Sequence, residues 1–171
     1  MKKMKSLLIA AVVFFGISQT NVMAQSKTAH IDVQELMAQM PDMKNADATL
    51  KKLSEGYEKD YGNMITEYQA KMKKFQDESN TVSEVINKTR VEELESIEGR
   101  IKQFQTTAQQ DLQKKQVDLT KPIFEKTRLS IQKVARAKGF EYVLDSSIGS
   151  GVIMADGPNL LEDVKKDLGV K

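Results

Sequence analysis

Residues 50–75, LKKLSEGYEKDYGNMITEYQAKMKKF, decide the fold because their apolar side chains recur with a helical spacing. The intervals between successive apolar residues are 3, 4, 4, 3, 4, 4 and 3, which is an 11-residue repeat. Such a repeat corresponds to about 3.67 residues per turn, so the apolar stripe stays on one side of a nearly straight helix. One narrow stripe cannot form a globular core, and this helix therefore needs a partner helix. The stripe consists of Leu50, Leu53, Tyr57, Tyr61, Met64, Tyr68, Met72 and Phe75.

The next apolar segment of the chain has the same period. A polar stretch at residues 79–89 separates the two segments. Matched periods on adjacent segments predict an antiparallel coiled-coil hairpin over residues 42–138, with its tip near residues 79–89. Arms of this length would extend about 60–75 Å, too far to fold back on a small domain, so the hairpin should project as a tentacle. The second segment's 11-residue row is Ile101, Leu112, Ile123 and Val134.

Short β segments flank the predicted hairpin. Apolar and polar residues alternate over residues 27–33, which is typical of a strand. Residues 140–144 and 151–154 predict two further strands, separated by a turn rich in Ser and Gly. Residues 25–41 and 139–171 are therefore expected to form the two halves of a small β body, which a terminal helix completes.

The predicted β body is too small to stabilise itself. Three short strands and one short helix carry few apolar side chains, and no disulfide can reinforce them because the chain has no Cys. Association of several copies would close the sheet and bury the terminal-helix face formed by Leu160, Val164 and Leu168. The sequence thus predicts a homo-oligomer.

The composition argues against catalysis. Among 171 residues there is no Cys, no Trp and one His, which leaves no thiolate nucleophile and no cluster of imidazoles for a metal. The sequence also contains no Gly-rich phosphate loop and no nucleotide fingerprint. We therefore expect neither an enzyme nor a bound cofactor or metal.

Residues 1–24 have the pattern of a secretory signal peptide. Lys2, Lys3 and Lys5 precede an apolar run, and Ala24 ends a stretch suited to cleavage. Removal of residues 1–24 leaves 23 basic and 24 acidic residues, a net charge of −1. A nearly neutral exported chain is a poor candidate for nucleic-acid binding. The predicted location is the periplasm.

Charge is unevenly distributed along the mature chain. Residues 42–68 have a net charge of −2, whereas residues 113–138 have a net charge of +6. Two interpretations stay open: complementary faces of the two arms, or a binding surface for an anionic membrane or for acidic loops of a cargo protein. The basic residues proposed for such a contact are Lys114, Lys115, Lys121, Lys126, Arg128, Lys133 and Arg136.

The order of segments resembles the OmpH/Skp family of periplasmic chaperones. The resemblance rests on two β segments around a helical hairpin, and on GFEYVLDSS (139–147), GVIMADG (151–157) and LLEDVKKDLGV (160–170). It implies a jellyfish-like homotrimer whose tentacles enclose a cavity. It also implies an ATP-independent holdase that keeps unfolded outer-membrane proteins from aggregating before their assembly. The alternative is a structural or adaptor coiled-coil protein of the cell envelope.

The aromatic and Met-rich residues of the first arm are the candidate contacts for such a client. Tyr is amphipathic and Met is flexible, so both side chains can adapt to many unfolded segments. The competing interpretation is that these residues simply form the coiled-coil seam. The candidates are Tyr57, Tyr61, Met64, Tyr68, Met72 and Phe75.

Overall fold

The computed structural model describes residues 27–170. The predicted signal peptide and its cleavage after Ala24 lie outside the described residues. The prediction of long helices with a small β part is confirmed. In chain order the elements are β1 (Thr28–Ile31), α1 (Val33–Gln39), α2 (Pro41–Asp77), α3 (Glu84–Ala137), β2 (Tyr142–Asp145) and α4 (Leu161–Leu168).

Helices α2 and α3 form the predicted antiparallel hairpin, which we call the arm. They contain 37 and 54 residues, or about 55 and 80 Å of helix at 1.5 Å per residue. Pro41 starts α2, where its missing N–H costs nothing. The turn between the helices is shorter than the predicted tip at residues 79–89. It ends at Ser83, whose hydroxyl accepts a hydrogen bond from the Ile86 N–H at 3.4 Å and so caps α3.

The seam of the arm follows the predicted 11-residue row in α3. Ile101 and Ile123 from that row are buried, and the row ends at Val134, which is buried in the core at the base of the arm. In α2 the buried residue is Ala46, while most of its apolar stripe is half-buried. A pair of helices cannot enclose side chains on all sides, so the stripe is covered on one flank and open on the other.

The sheet has two parallel strands that the whole arm connects. Thr28 of β1 lies opposite Tyr142 of β2, and Ile31 lies opposite Asp145. Strand β1 is shorter than the predicted 27–33 because Asp32 caps helix α1: its carboxylate accepts a hydrogen bond from the Glu35 N–H at 2.8 Å.

The predicted third strand at residues 151–154 is wrong for the single chain. Ile153 and Met154 of this segment are 102% and 75% exposed. Strand β1 already pairs with β2 on one side, and on its other side His30 bridges to Asn159. Both sides of β1 are therefore occupied, and residues 151–154 do not pair with the remaining open edge of β2. A short apolar run alone does not form a strand.

The core lies at the base of the arm, where α1, α4, β1 and the end of α3 meet. Ile31, Leu36, Leu160 and Val164 are almost completely buried there. This corrects the prediction that association of several copies would bury the terminal-helix face. Leu160 and Val164 pack within their own chain, and Leu168 is partly buried against the same core.

Polar contacts fasten α4 to α3. The Ser130 hydroxyl donates a hydrogen bond to Asp167 at 2.7 Å, and Lys133 donates another to the same carboxylate. These two hydrogen bonds hold the pKa of Asp167 below its ordinary value, and the one from Lys133 has the larger effect. Lys138 and Asp163 form an ion pair at 2.6 Å. The terminal helix is therefore anchored by charge as well as by its apolar face.

Candidate functional site

The aromatic and Met-rich stripe of α2 lies along the seam of the arm. Tyr57, Tyr61 and Met64 are half-buried against α3, as are Tyr68 and Phe75. Met72 is more open, with 42% of its surface exposed. The structure thus gives these six residues the positions expected of a seam, and it leaves one flank of the stripe accessible.

Tyr57 joins the two helices by its ring and by its hydroxyl. The ring meets Phe104 edge to face, with centroids 5.9 Å apart and planes at 77°. The hydroxyl donates a hydrogen bond to Asp111 at 2.8 Å. That hydrogen bond raises the pKa of Tyr57, because ionisation would place two negative charges together.

Tyr68 repeats this arrangement closer to the tip. Its hydroxyl donates a hydrogen bond to Glu98 of α3, and this contact raises the pKa of Tyr68. One turn further on, Lys71 pairs with Glu93. Carboxylates of α3 therefore accept hydrogen bonds from side chains of α2 along the arm.

Phe75 contacts the arm's most enclosed cation. The Arg90 guanidinium lies 4.8 Å from the centre of the Phe75 ring, a cation–π contact. Arg90 also pairs with Glu78 at the end of α2. Its Nη1 atom is buried and, within residues 27–170, has no hydrogen-bond partner. Phe75 and Arg90 together close the seam below the tip.

The seven basic candidates of α3 are all exposed, but the structure divides them by partner. Lys126 pairs with Asp42 at 2.7 Å, and Lys133 pairs with Asp167. The first pair joins the two helices of the arm and supports the interpretation of complementary faces, whereas the second pair fastens the terminal helix α4 to α3. Arg128 pairs with its helix neighbour Glu125. Within the described part of the chain no ion pair involves the remaining four, which are Lys114, Lys115, Lys121 and Arg136.

Apolar side chains also stand exposed around the sheet. Tyr142 and Leu144 of β2 are 65% and 47% exposed, and Ile148 in the following loop is 92% exposed. The outer edge of β2 has no paired strand among the described residues. An unpaired edge beside exposed apolar residues is a surface suited to another chain.

An apolar groove lies where the arm meets the sheet. It has a volume of about 560 Å³, and Arg128 lies among its lining residues. Sequence reasoning did not predict this groove. The signal in the sequence was the pair Phe124 and Ile131, two apolar residues seven positions apart on α3 that lie off its 11-residue row. The apolar lining includes Val33, Phe124, Ile131, Phe140 and Val143.

The described residues contain no group of three or more His, Asp or Glu side chains that could hold a metal ion. Across residues 27–170, no helix is long and apolar enough to cross a membrane.

Both ring nitrogens of His30 have partners within the fold. Nδ1 lies 3.0 Å from the Ser146 hydroxyl, and Nε2 lies 3.1 Å from the Gly157 carbonyl. Since a carbonyl only accepts, Nε2 carries a proton and donates to it.

Comparison with known proteins identifies the family. The family model described as outer membrane protein (OmpH-like) matches residues 27–168, which include every helix and strand that the structure describes. The chain belongs to the OmpH-like family. A search of curated proteins gave no match to this OmpH-like chain.

A solved structure shares the OmpH-like fold. It comes from Caulobacter crescentus CB15 and is described as a "putative outer membrane chaperone (OmpH-like)". The two chains are 14% identical and superpose with a TM-score of 0.75, over 84% of this chain and 83% of that one. The combination of a long arm and a small sheet is thus an architecture shared with that protein.

Proposed function

We propose that this protein is an ATP-independent chaperone of the periplasm, a holdase that keeps unfolded outer-membrane proteins soluble until they are assembled. The observation that carries the proposal is the arm: two helices extend from a small core and keep one flank of an apolar stripe open to solvent. Membership of the OmpH-like family and the likeness to the Caulobacter crescentus structure support it.

The mechanism we propose is sequestration. Several arms around one base would surround an unfolded chain with many weak contacts, and a high effective concentration compensates for weak binding at each contact. Release would need no nucleotide, because the folded barrel in its membrane is more stable than the bound unfolded chain. The accessible flank of the stripe, with Met72 its most open member, would supply the adaptable contacts.

We further propose that the base assembles as a homotrimer. The open edge of β2 and the exposed Ile148, Ile153 and Met154 support association, because a monomer rarely leaves so much apolar surface in contact with water. Residues 151–154, which find no strand partner in their own chain, could pair with another copy. Equilibrium sedimentation of the mature chain tests the number of subunits.

The proposed function is tested by diluting a urea-unfolded outer-membrane β-barrel into buffer containing the mature protein. We expect light scattering to be suppressed without nucleotide, at about one oligomer per client. A scaffold or adaptor protein would instead leave the client to aggregate as fast as in buffer alone.

A serine triple variant tests the role of the stripe. Tyr61→Ser, Tyr68→Ser and Met72→Ser together should weaken client retention and leave the oligomer intact. Loss of the oligomer in that variant would assign these residues to the fold alone. The contact between the seven basic residues and an anionic membrane stays a prediction.

A further inference from the structure

Helix α3 carries a second row of side chains on a face other than the seam. Lys114, Val117, Lys121, Phe124 and Arg128 follow one another at intervals of 3 and 4 residues, so they share one face of the helix. Val117 and Phe124 are 54% and 51% exposed, although they are large and apolar. The three cations are exposed as well. We call these five residues the basic–apolar stripe.

Two acidic residues, Asp118 and Glu125, follow Lys114 and Lys121 by about one helical turn, but neither forms an ion pair with those lysines. No ion pair in the described part of the chain involves Lys114 or Lys121. Arg128 pairs with Glu125 at 2.8 Å, but both side chains are more than half exposed, so water competes effectively for that contact. The stripe therefore presents positive charge beside apolar surface, and it is complementary to a partner that combines negative charge with apolar groups.

At the base of the arm the stripe runs into the apolar groove. Phe124 and Arg128 belong to both, and Ile131, Phe140 and Val143 continue the groove wall towards β2. A concave apolar site of this kind can hold a bulky side chain. The charges of its lining balance, because it contains two Arg and two Glu. The stripe and the groove thus form one continuous surface.

We propose that the basic–apolar stripe is a contact track for segments of unfolded polypeptide in which acidic residues alternate with aromatic or aliphatic ones. This inference rests on the proposed chaperone function and names the client segments that the arm prefers. Lys114 and Lys121 would attract the carboxylates, and Val117 and Phe124 would contact the apolar side chains between them. The groove would receive the bulky side chain at one end of the segment.

The shape of the stripe favours a polypeptide over a bilayer. A helix that lies in a membrane surface presents a broad apolar face. Here the two exposed apolar residues are seven positions apart, and a cation stands on either side of each. A narrow row of this kind matches the alternating side chains of an extended chain.

Two labelled synthetic peptides of 20 residues test the inference by fluorescence anisotropy. They share the same Leu and Phe residues and differ in having Glu or Gln between them. We expect the intact protein at low salt to bind the Glu peptide about tenfold more tightly than the Gln peptide, since several exposed charge pairs add up. The double variant K114E/K121E should abolish this preference, and F124S should weaken binding of both peptides.

A matched control separates this face from overall charge. The double variant K73E/K88E makes the same change in net charge at exposed lysines outside both the stripe and the seven basic candidates, and it should keep the preference for Glu. Equal loss in both double variants would overturn the inference, as would unchanged binding of both peptides by F124S. A change in oligomer mass on K114E/K121E would also overturn it, because the stripe would then be a contact between subunits.

A membrane partner is distinguished by flotation with phosphatidylglycerol vesicles. If K114E/K121E lost vesicle binding but kept the preference for the Glu peptide, the stripe would face lipid and the inference would be wrong. Aggregation of the unfolded barrel tests the proposed function separately. An intact protein that suppresses aggregation yet shows no preference for the Glu peptide would refute the stripe and leave the holdase proposal standing.

Discussion

Replacement of Ile101 by Ala should destabilise the arm by about 2 kcal/mol. Ile101 is 7% exposed and belongs to the 11-residue row of α3 that packs along the seam. Truncation of a buried Ile costs about 2–5 kcal/mol, which combines lost burial and the cavity left behind. The lower end applies because the facing stripe of α2 is half-buried, so water can enter the space and no closed cavity remains.

Urea unfolding followed by circular dichroism at 222 nm measures this loss. With a slope of about 2 kcal/mol per molar urea, the midpoint should fall by about 1 M. All variants must be compared at one protein concentration, because assembly would stabilise each of them. Val117→Ala is the control: Val117 lies on the same helix but is 54% exposed, so its midpoint should hardly change. Equal shifts for the two variants would refute the assignment of Ile101 to the seam.

Three further predictions concern charge and backbone. The lowered pKa of Asp167 stabilises the fold above the ordinary carboxyl pKa of about 3.9, and this contribution is lost as the pH falls below it. Asp167→Asn should therefore be less stable at pH 7 in urea titrations, and its deficit should disappear in acid. Tyr57 and Tyr68 have raised pKa values, so their contribution holds below pH 10 and is lost as the pH rises further. Urea unfolding should show that Tyr57→Phe destabilises the arm at neutral pH but makes no difference in strong alkali. Gly139 has φ +78°, so Gly139→Ala should lower stability by about 1 kcal/mol. Gly56→Ala should raise stability by about 0.5–1 kcal/mol, because Gly56 lies inside a helix and the added Cβ would contact no neighbouring atom. A higher melting temperature for Gly139→Ala than for Gly56→Ala would contradict this.

The arm could be predicted from the sequence because its information is local. The 11-residue repeat fixes which side of each helix is apolar, and two neighbouring helices with matched repeats can hardly avoid pairing. Ile101 and Ile123 are accordingly buried on the predicted row, and the same row continues to Val134 in the core at the base. The length of the tip was overestimated because the polar residues after Ser83 are compatible with a helix once that serine caps it.

The base was harder to predict because its contacts join distant parts of the chain. The apolar run at residues 152–154 signals a strand, but a strand also has to pair with an edge. The segment near Asn159 occupies the second side of β1, and residues 151–154 do not pair with the outer edge of β2. The terminal-helix face was assigned to other copies because nothing in the sequence shows that the end of α3 receives it. Leu160 and Val164 in fact lie in the chain's own core.

Of the two candidate contact surfaces, the stripe of α2 could be predicted from the sequence and the exposed row of α3 was missed. The stripe of α2 stood out because aromatic and Met residues dominate it, yet Tyr57 and Tyr68 use their hydroxyls to bind α3. Val117 and Phe124 were not recognised as a second apolar row, because lysines surround them in the sequence and the 11-residue row on the same helix has more members. Only the three-dimensional pairing of the helices shows which of two rows on α3 is covered.

The central claim is that the protein holds an outer-membrane barrel in an unfolded but foldable state. The most direct measurement is the far-ultraviolet circular dichroism and the mass of an isolated complex between the mature protein and such a barrel, before and after lipid vesicles are added. We predict a soluble complex, formed without nucleotide, in which the client lacks β structure and gains it once vesicles are present. A client that aggregates, or one that has already folded in the complex, would contradict the account.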